Sequence, residues 1–233
     1  MNKIIPLFQS GKTRFENEQF ASHIYETFTK HFYKRYTYQG QFAPMIGRNN
    51  PFVEASQLIG GDVCGISAAT METVVFEEKA DSYKPINCFL ELYSNTTTVP
   101  PIDSWLKTSK ATHLLYSFYW LPKEINAPIL DSFLWKMRLI QSWFWKREVR
   151  KAFGEPIIQK DTPNQTSGYP VRLFKIIQEV PTKRYLIMPP MDNKDAIIES
   201  VDPAASLDEI KSIALALYSS HKSTIDQARG GIA

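Results

Sequence analysis

With 233 residues, 43% of them hydrophobic and 22% charged, the chain has the composition of a globular protein that can bury one good core, and not that of a disordered segment. Its 27 basic and 24 acidic residues leave a net charge of only +3, which excludes a polycation held to nucleic acid by overall charge; any such contact must come from a local patch. No apolar run is long enough to span a membrane, and Pro6 breaks the short Met1 to Phe8 opening as a secretion signal, so the expected compartment is cytoplasmic.

In chain order, Ser10-Gly11-Lys12-Thr13 has the tail of a phosphate-binding loop, but Pro6 stands where the upstream glycine is required, and no phosphate nest is expected. Glu16 to Arg35 carries Phe20, Ile24, Phe28 and Phe32 at every fourth position, which predicts a long amphipathic helix packed on a sheet. Tyr36 to Phe42 reads as a first strand, and Met45 to Pro51, with Gly47, Asn49 and Asn50, as a loop. Thr73-Val74-Val75-Phe76 is β-branched and aromatic and predicts a strand. Paired with the strand that follows Asp62 through a short hairpin around Ser67 to Met71, it brings Asp62 beside Glu77. Cys64 and Cys88 are then on neighbouring strands, as reduced core thiols rather than a disulfide or a zinc site.

Ile86 to Tyr93 predicts a third central strand, on which Glu91 shares a face with Phe89 and Tyr93; that face points either at Asp62 or at an aromatic patch. After the Pro100-Pro101 loop, Trp105 with Lys107 and Lys110 either grips a nucleic-acid strand or plugs the loop onto the core. Thr112 to Trp120 is apolar throughout, suited to a sheet centre covered on both faces. Asn126 to Phe153 reads as a second long helix. Lys146, Arg147 and Arg150, interleaved with Trp135, Trp143, Phe144 and Trp145, make it either a DNA-facing helix or a core helix with a solvated basic face. Asp161 to Pro170 is a loop or hinge, Val171 to Ile177 and Arg184 to Met188 are two strands, and Ser206 to Glu209 is a capping box opening a last helix that runs to about His221.

The chemistry concentrates on Asp62 and the Glu77-Glu78-Lys79 strand. The period of two puts Glu77 and Lys79 on one face and Glu78 on the other. Two adjacent carboxylates stay ionised cheaply only with a cation between them, and a hard, oxygen-seeking ion such as Mg2+ or Mn2+ is the natural occupant. Such an ion polarises a phosphate and acidifies a bound water, while an ammonium offsets developing charge. The bland alternative is an edge strand whose glutamate and lysine form a solvated ion pair.

Asp62 followed by Glu77-Glu78-Lys79-Ala80, with Gln57-x-x-Gly-Gly-Asp62 upstream and Ser104-Trp105-Leu106 downstream, resembles the PD-(D/E)xK nuclease superfamily, in particular its phage and mobile-element members. The likeness covers residues 57 to 120. Gly61 stands in place of the superfamily's proline. The resemblance implies a restriction endonuclease-like α/β fold, a mixed central sheet flanked by helices, taken here over residues 1 to 160; the strand, strand and helix read over 161 to 233 either extend that sheet or form a small lobe packed on it, as one domain overall. It implies a metal-dependent nuclease that hydrolyses DNA phosphodiester bonds. Asp62 and Glu77 would hold Mg2+ or Mn2+, Val75 or Phe76 would offer a backbone carbonyl, Lys79 would be the catalytic lysine and Glu91 a further acid. Glu18 or Glu26 would be an additional acid from the first helix. DNA is the expected partner, without a membrane, and cuts across both strands favour a homodimer. The rival from another class is a non-catalytic DNA-binding or assembly protein on the same fold.

Overall fold

The computed structural model describes Thr29, Phe32, Tyr33, Arg35 and residues 37–44, 61–67, 69–82, 87–120, 129–160, 164–188 and 196–230. The phosphate-loop tail, most of the predicted first helix with Glu18 and Glu26, the loop from Met45 to Pro51 and the Gln57 to Gly60 string lie outside these residues. Thr29, Phe32, Tyr33 and Arg35 are helical, and Phe32 is buried as its place in the apolar stripe requires.

The fold is mixed α/β, built on two sheets. The larger has seven strands in the order β1-β2-β3-β6-β7-β10-β11. They are β1 (Thr37–Pro44), β2 (Val63–Ser67), β3 (Thr73–Ser82), β6 (His113–Trp120), β7 (Ile129–Lys136), β10 (Thr182–Met188) and β11 (Ile197–Val201). The smaller has four, in the order β5-β4-β9-β8: β4 (Asn87–Asn95), β5 (Ile102–Asp103), β8 (Ile157–Ile158) and β9 (Ser167–Arg172). The helices are α1 (Trp105–Thr108), α2 (Met137–Phe144), α3 (Arg147–Phe153), α4 (Leu173–Glu179) and α5 (Leu207–Gly230).

Among the described residues all strand pairings are antiparallel except β3 with β6, and a parallel pair needs a crossover. Here the crossover contains β4, β5 and α1, so the second sheet begins inside it. One core cluster joins Leu90 and Leu92 of β4, Leu106 of α1, Leu114 and Tyr116 of β6, and Trp135 of β7. The other face of the large sheet buries Phe76, Leu115 and Leu134 with Phe32 and Tyr33. Helix α5 packs Ile210 and Ala214 on Ile129, Leu186 and Met188. Among the described residues, no helix is long and apolar enough to cross a membrane.

Five expectations are corrected. The Ile86 to Tyr93 strand is not central: β6 takes the edge of β3 in parallel, and β4 pairs with β5 and β9 instead. That also separates the cysteines, which are both free but lie in different sheets. The predicted Asn126 to Phe153 helix is strand β7 followed by α2 and α3. Residues 129 to 135 are all buried, because one core cluster covers Phe133 and Trp135 on one face of β7 and another covers Leu130 and Leu134 on the other, and a strand covered on both faces has no alternation to betray it. The predicted Val171 to Ile177 strand stops at Arg172; Leu173 and Ile176, three apart and both buried, wind into α4. The last helix runs beyond His221 to Gly230, although its start is as expected: Ser206 N–H donates to Glu209 Oε2 (2.6 Å) and Glu209 N–H to Ser206 Oγ (3.3 Å). Strand β11 is an addition that the sequence reading did not contain.

Gly168 of β9 faces β4 so closely that a Cβ there would lie 2.4 Å from Leu90 O and 2.8 Å from Glu91 Cα. Backbone cannot retreat like a side chain. Gly168→Ala is expected to destabilise the fold by about 1–3 kcal/mol in urea denaturation, as overpacking does.

His113 opens β6 with 4% exposure, its ring stacked on Phe76 and its Nδ1 2.9 Å from Thr112 Oγ1. Burial, then the charges of Lys136 and Lys183, lower its pKa from 6.5 to about 4. The unfolded chain therefore takes up a proton near pH 6.5 that the folded chain refuses until about 4. This contribution is complete above pH 6.5 and lost as pH falls toward 4, to the extent of about 3 kcal/mol. Urea midpoints of His113→Gln measured over that window should fall less steeply than those of the wild type.

Candidate active site

The β2–β3 hairpin sets the acid pair. Ser67 N–H donates to Glu72 O (2.8 Å) and Met71 N–H to Ser67 O (2.9 Å), closing the turn where the sequence placed it. The register Val63↔Phe76 then leaves Asp62 level with Glu77. Asp62 is clamped to β3 twice: its N–H donates to Phe76 O (2.7 Å), and its Oδ2 accepts the Glu78 N–H (2.7 Å). A Cβ on Gly61 would lie 2.2 Å from Val75 Cγ1, so glycine suits this close approach to β3.

The alternation along β3 divides the acids as predicted. Glu78 points to the Phe32 side, where the Tyr33 hydroxyl donates to its Oε1. Glu77 and Lys79 point to the crossover side, with Lys79 Nζ 2.5 Å from Glu77 Oε1 and 5.9 Å from the centroid of the Trp105 ring. Glu77 is only 6% exposed. Helix α1 is fastened over this face at both ends. Ser104, its N-cap, donates its hydroxyl to Glu91 Oε1, and Ser109, its C-cap, donates to Glu77. The sequence reading missed Ser109 and saw Ser104 only as part of a string; polar residues flanking a buried Trp105-Leu106 pair were the available signal.

Burial is the largest influence on Glu77 and pushes its pKa up. Asp62 adds to the rise, and Lys79 and Ser109 only partly offset it. Burial pushes Lys79 down, but the charges of Glu77, Asp62 and Glu91 outweigh it and the net direction is up. Both groups thus hold protons more tightly than usual, Glu77 chiefly because it is buried and Lys79 because a surplus of negative charge, three carboxylates, acts on its one ammonium.

That surplus and the two clamped carboxylates fit a hard divalent cation. Mg2+ is commonly held by one or two carboxylates and keeps several of its waters, so Asp62 and Glu77 are the residues that would hold such an ion. Among the described residues no three or more histidine, cysteine or acidic side chains are grouped closely enough to hold a metal ion together. The expected backbone ligands are engaged otherwise: Val75 O accepts the Thr112 N–H (2.8 Å) and hydroxyl (2.9 Å), and Phe76 O accepts from Asp62. Glu91 stands on β4 in the second sheet. Its charge reaches Lys79, and its carboxylate is held by Ser104.

The expected DNA grip is only partly available. Trp105 is 6% exposed and belongs to the core, so it stacks on no base; it plugs the crossover onto the sheet. Lys107 lies 3.5 Å from the Tyr93 ring centroid and 2.7 Å from Asp103 Oδ1, while Lys110 is exposed. Trp135, Trp143 and Phe144 are also core. Lys146, Arg147 and Arg150 are exposed at the α2–α3 elbow beside the half-exposed Trp145, whose ring lies 5.2 Å from Arg150 Cζ. Comparison with family models, with curated proteins and with solved structures finds no match, so the site is read from its own geometry.

Proposed function

We propose that this chain is a metal-dependent nuclease that hydrolyses DNA phosphodiester bonds, on a core of the restriction endonuclease-like type, with Mg2+ or Mn2+ held by Asp62 and Glu77. The observation that carries the reading is the hairpin register, which sets Asp62 level with Glu77 while Lys79 shares the face of Glu77. A solvated edge pair, the bland alternative, does not account for a glutamate that is 6% exposed on a strand paired on both sides.

When bound, a divalent cation supplies Lewis acidity toward the phosphate and lowers the pKa of a water, the source of the attacking hydroxide. Lys79, with its pKa raised, keeps its proton at neutral pH, so it is a fixed cation for the phosphate oxygens or an orienting donor to the water, and not a general base. Glu77 anchors that ammonium. The Ser104–Glu91 and Ser109–Glu77 hydrogen bonds hold α1 over the site, and the Trp105 ring beneath Lys79 covers its flank. The exposed cations Lys110, Lys146, Arg147 and Arg150 are phosphate contacts in this reading.

The test is a panel of labelled linear, nicked, branched and single-stranded DNA incubated with Mg2+ or Mn2+, using the wild type, Asp62→Asn and Lys79→Ala. Metal-dependent cutting that both substitutions suppress is the expected result. Binding without cutting by the wild type across the panel would move the assignment to a non-catalytic DNA-binding protein, and neither binding nor cutting would remove DNA as the partner.

A further inference from the structure

The reverse face of the same strands, away from Glu77 and Lys79, carries a second cluster of charge. In the β6–β7 and β7–β10 registers, His113 lies opposite Lys136 and Leu134 opposite Lys183. The period of two therefore puts His113, Lys136 and Lys183 on one face as direct and diagonal neighbours. Both lysines are exposed at their tips, and among the described residues neither forms an ion pair. Their charges act on the buried His113 imidazole, which sits in β6 between them and Phe76. Like charges on neighbouring strand positions are destabilising unless something anionic joins them.

A recess of about 460 Å3 opens over this cluster, within the range of small-molecule sites. Its apolar wall is Val74, Leu134, Leu139 and Pro181, and Thr70, Thr73 and Thr182 add hydroxyls. Glu72 is the one acid in its lining. A smaller recess of about 320 Å3 adjoins it through Ser67, Ala69 and Lys183 and adds Arg35.

We propose that the larger recess binds a phosphorylated small molecule of mononucleotide size, its phosphate between Lys136 and Lys183 and its flat apolar body against Val74, Leu134 and Leu139. Two lysines match one phosphate group. The β2–β3 turn at Ala69 and Thr70 and the Pro181–Lys183 segment bound the recess on either side, which suits a single nucleotide unit better than a continuous strand. The site lies across the sheet from Lys79, so its occupancy is independent of the nuclease reading.

Binding of adenosine monophosphate, inorganic phosphate and a single-stranded 12-mer is measured by calorimetry in the presence of a chelator. Proteins compared are the wild type, Lys136→Ala/Lys183→Ala and Lys79→Ala, with circular dichroism confirming that each is folded. The expected result is saturable binding of the mononucleotide at one site per chain, weaker at higher salt, unchanged in Lys79→Ala and at least about tenfold weaker in the double variant, since both charged contacts to the phosphate are lost. Mononucleotide binding that the double variant retains would overturn the proposal, as would its absence from the wild type. Phosphate binding as tightly as the mononucleotide would overturn the role of the apolar wall. A 12-mer that binds through these lysines where the mononucleotide does not would reassign the recess to a strand.

Discussion

Asp62→Asn and Lys79→Ala are each expected to slow metal-dependent DNA cleavage by about a hundredfold to a thousandfold, the range seen when one preorganised electrostatic group is removed from a site. The two variants should fail for different reasons. Asparagine at position 62 retains an oxygen for the Glu78 N–H, so the clamp between the loop and β3 survives while the charge is lost. Mn2+ binding should weaken with it, and cleavage should recover in part as the metal concentration rises. Lys79→Ala removes the ammonium that lies 2.5 Å from Glu77. Glu77 then faces Asp62 with no counter-charge, so its demand for a metal increases. Mn2+ should bind Lys79→Ala at least as well as the wild type, and added metal should not restore its rate. Metal titrations followed by calorimetry, run beside single-turnover cleavage, separate the two behaviours. A Lys79→Ala protein that cuts normally would assign the lysine to folding alone; equal loss of Mn2+ affinity in both variants would refute the division of roles.

The acid pair was legible because everything that builds it is local. A short turn, an alternating strand and a glycine before Asp62 lie within one hairpin, and its register follows from the turn. The capping box at Ser206 was legible for the same reason. Elements whose shape is decided by distant neighbours were not. Residues 129 to 135 are buried on both faces because separate core clusters close over Phe133 and Trp135 and over Leu130 and Leu134, and a doubly covered strand has the same apolar run as a buried helix. Strand β4 left the central sheet because β6, arriving from downstream, occupied the edge of β3. Trp105 is a core residue for a topological reason: the crossover folds back over the β3–β6 face and carries it inward. No periodicity within Ser104 to Lys110 encodes that return.

The Asp131–Arg184 pair is a buried ionic contact of this non-local kind. The two residues are 53 positions apart and meet only because β7 pairs with β10. Asp131 is 0% and Arg184 3% exposed, with Nε to Oδ1 at 2.8 Å and Nη2 to Oδ2 at 2.7 Å. Arg184 Nη1 donates to Ala205 O (2.7 Å) and Pro203 O (3.3 Å), which ties β10 to the loop before α5. Removing either partner strands a charge where water does not reach, so Asp131→Leu and Arg184→Met are each expected to cost about 3–5 kcal/mol in urea denaturation. Asp131→Leu/Arg184→Met, which removes both charges, should be less damaging than the sum of its single variants, because the stranded-charge penalty appears only once per single and never in the double. The carbonyls of Ala205 and Pro203 still lose their donor, so the double should remain below the wild type. In the folded fraction of all these proteins, cleavage per molecule should be unchanged, since β6 lies between the Glu77 strand and the β7 and β10 strands that carry the pair. A double variant as unstable as the sum of its singles would mean that the two charges contribute independently and that the bidentate geometry adds nothing.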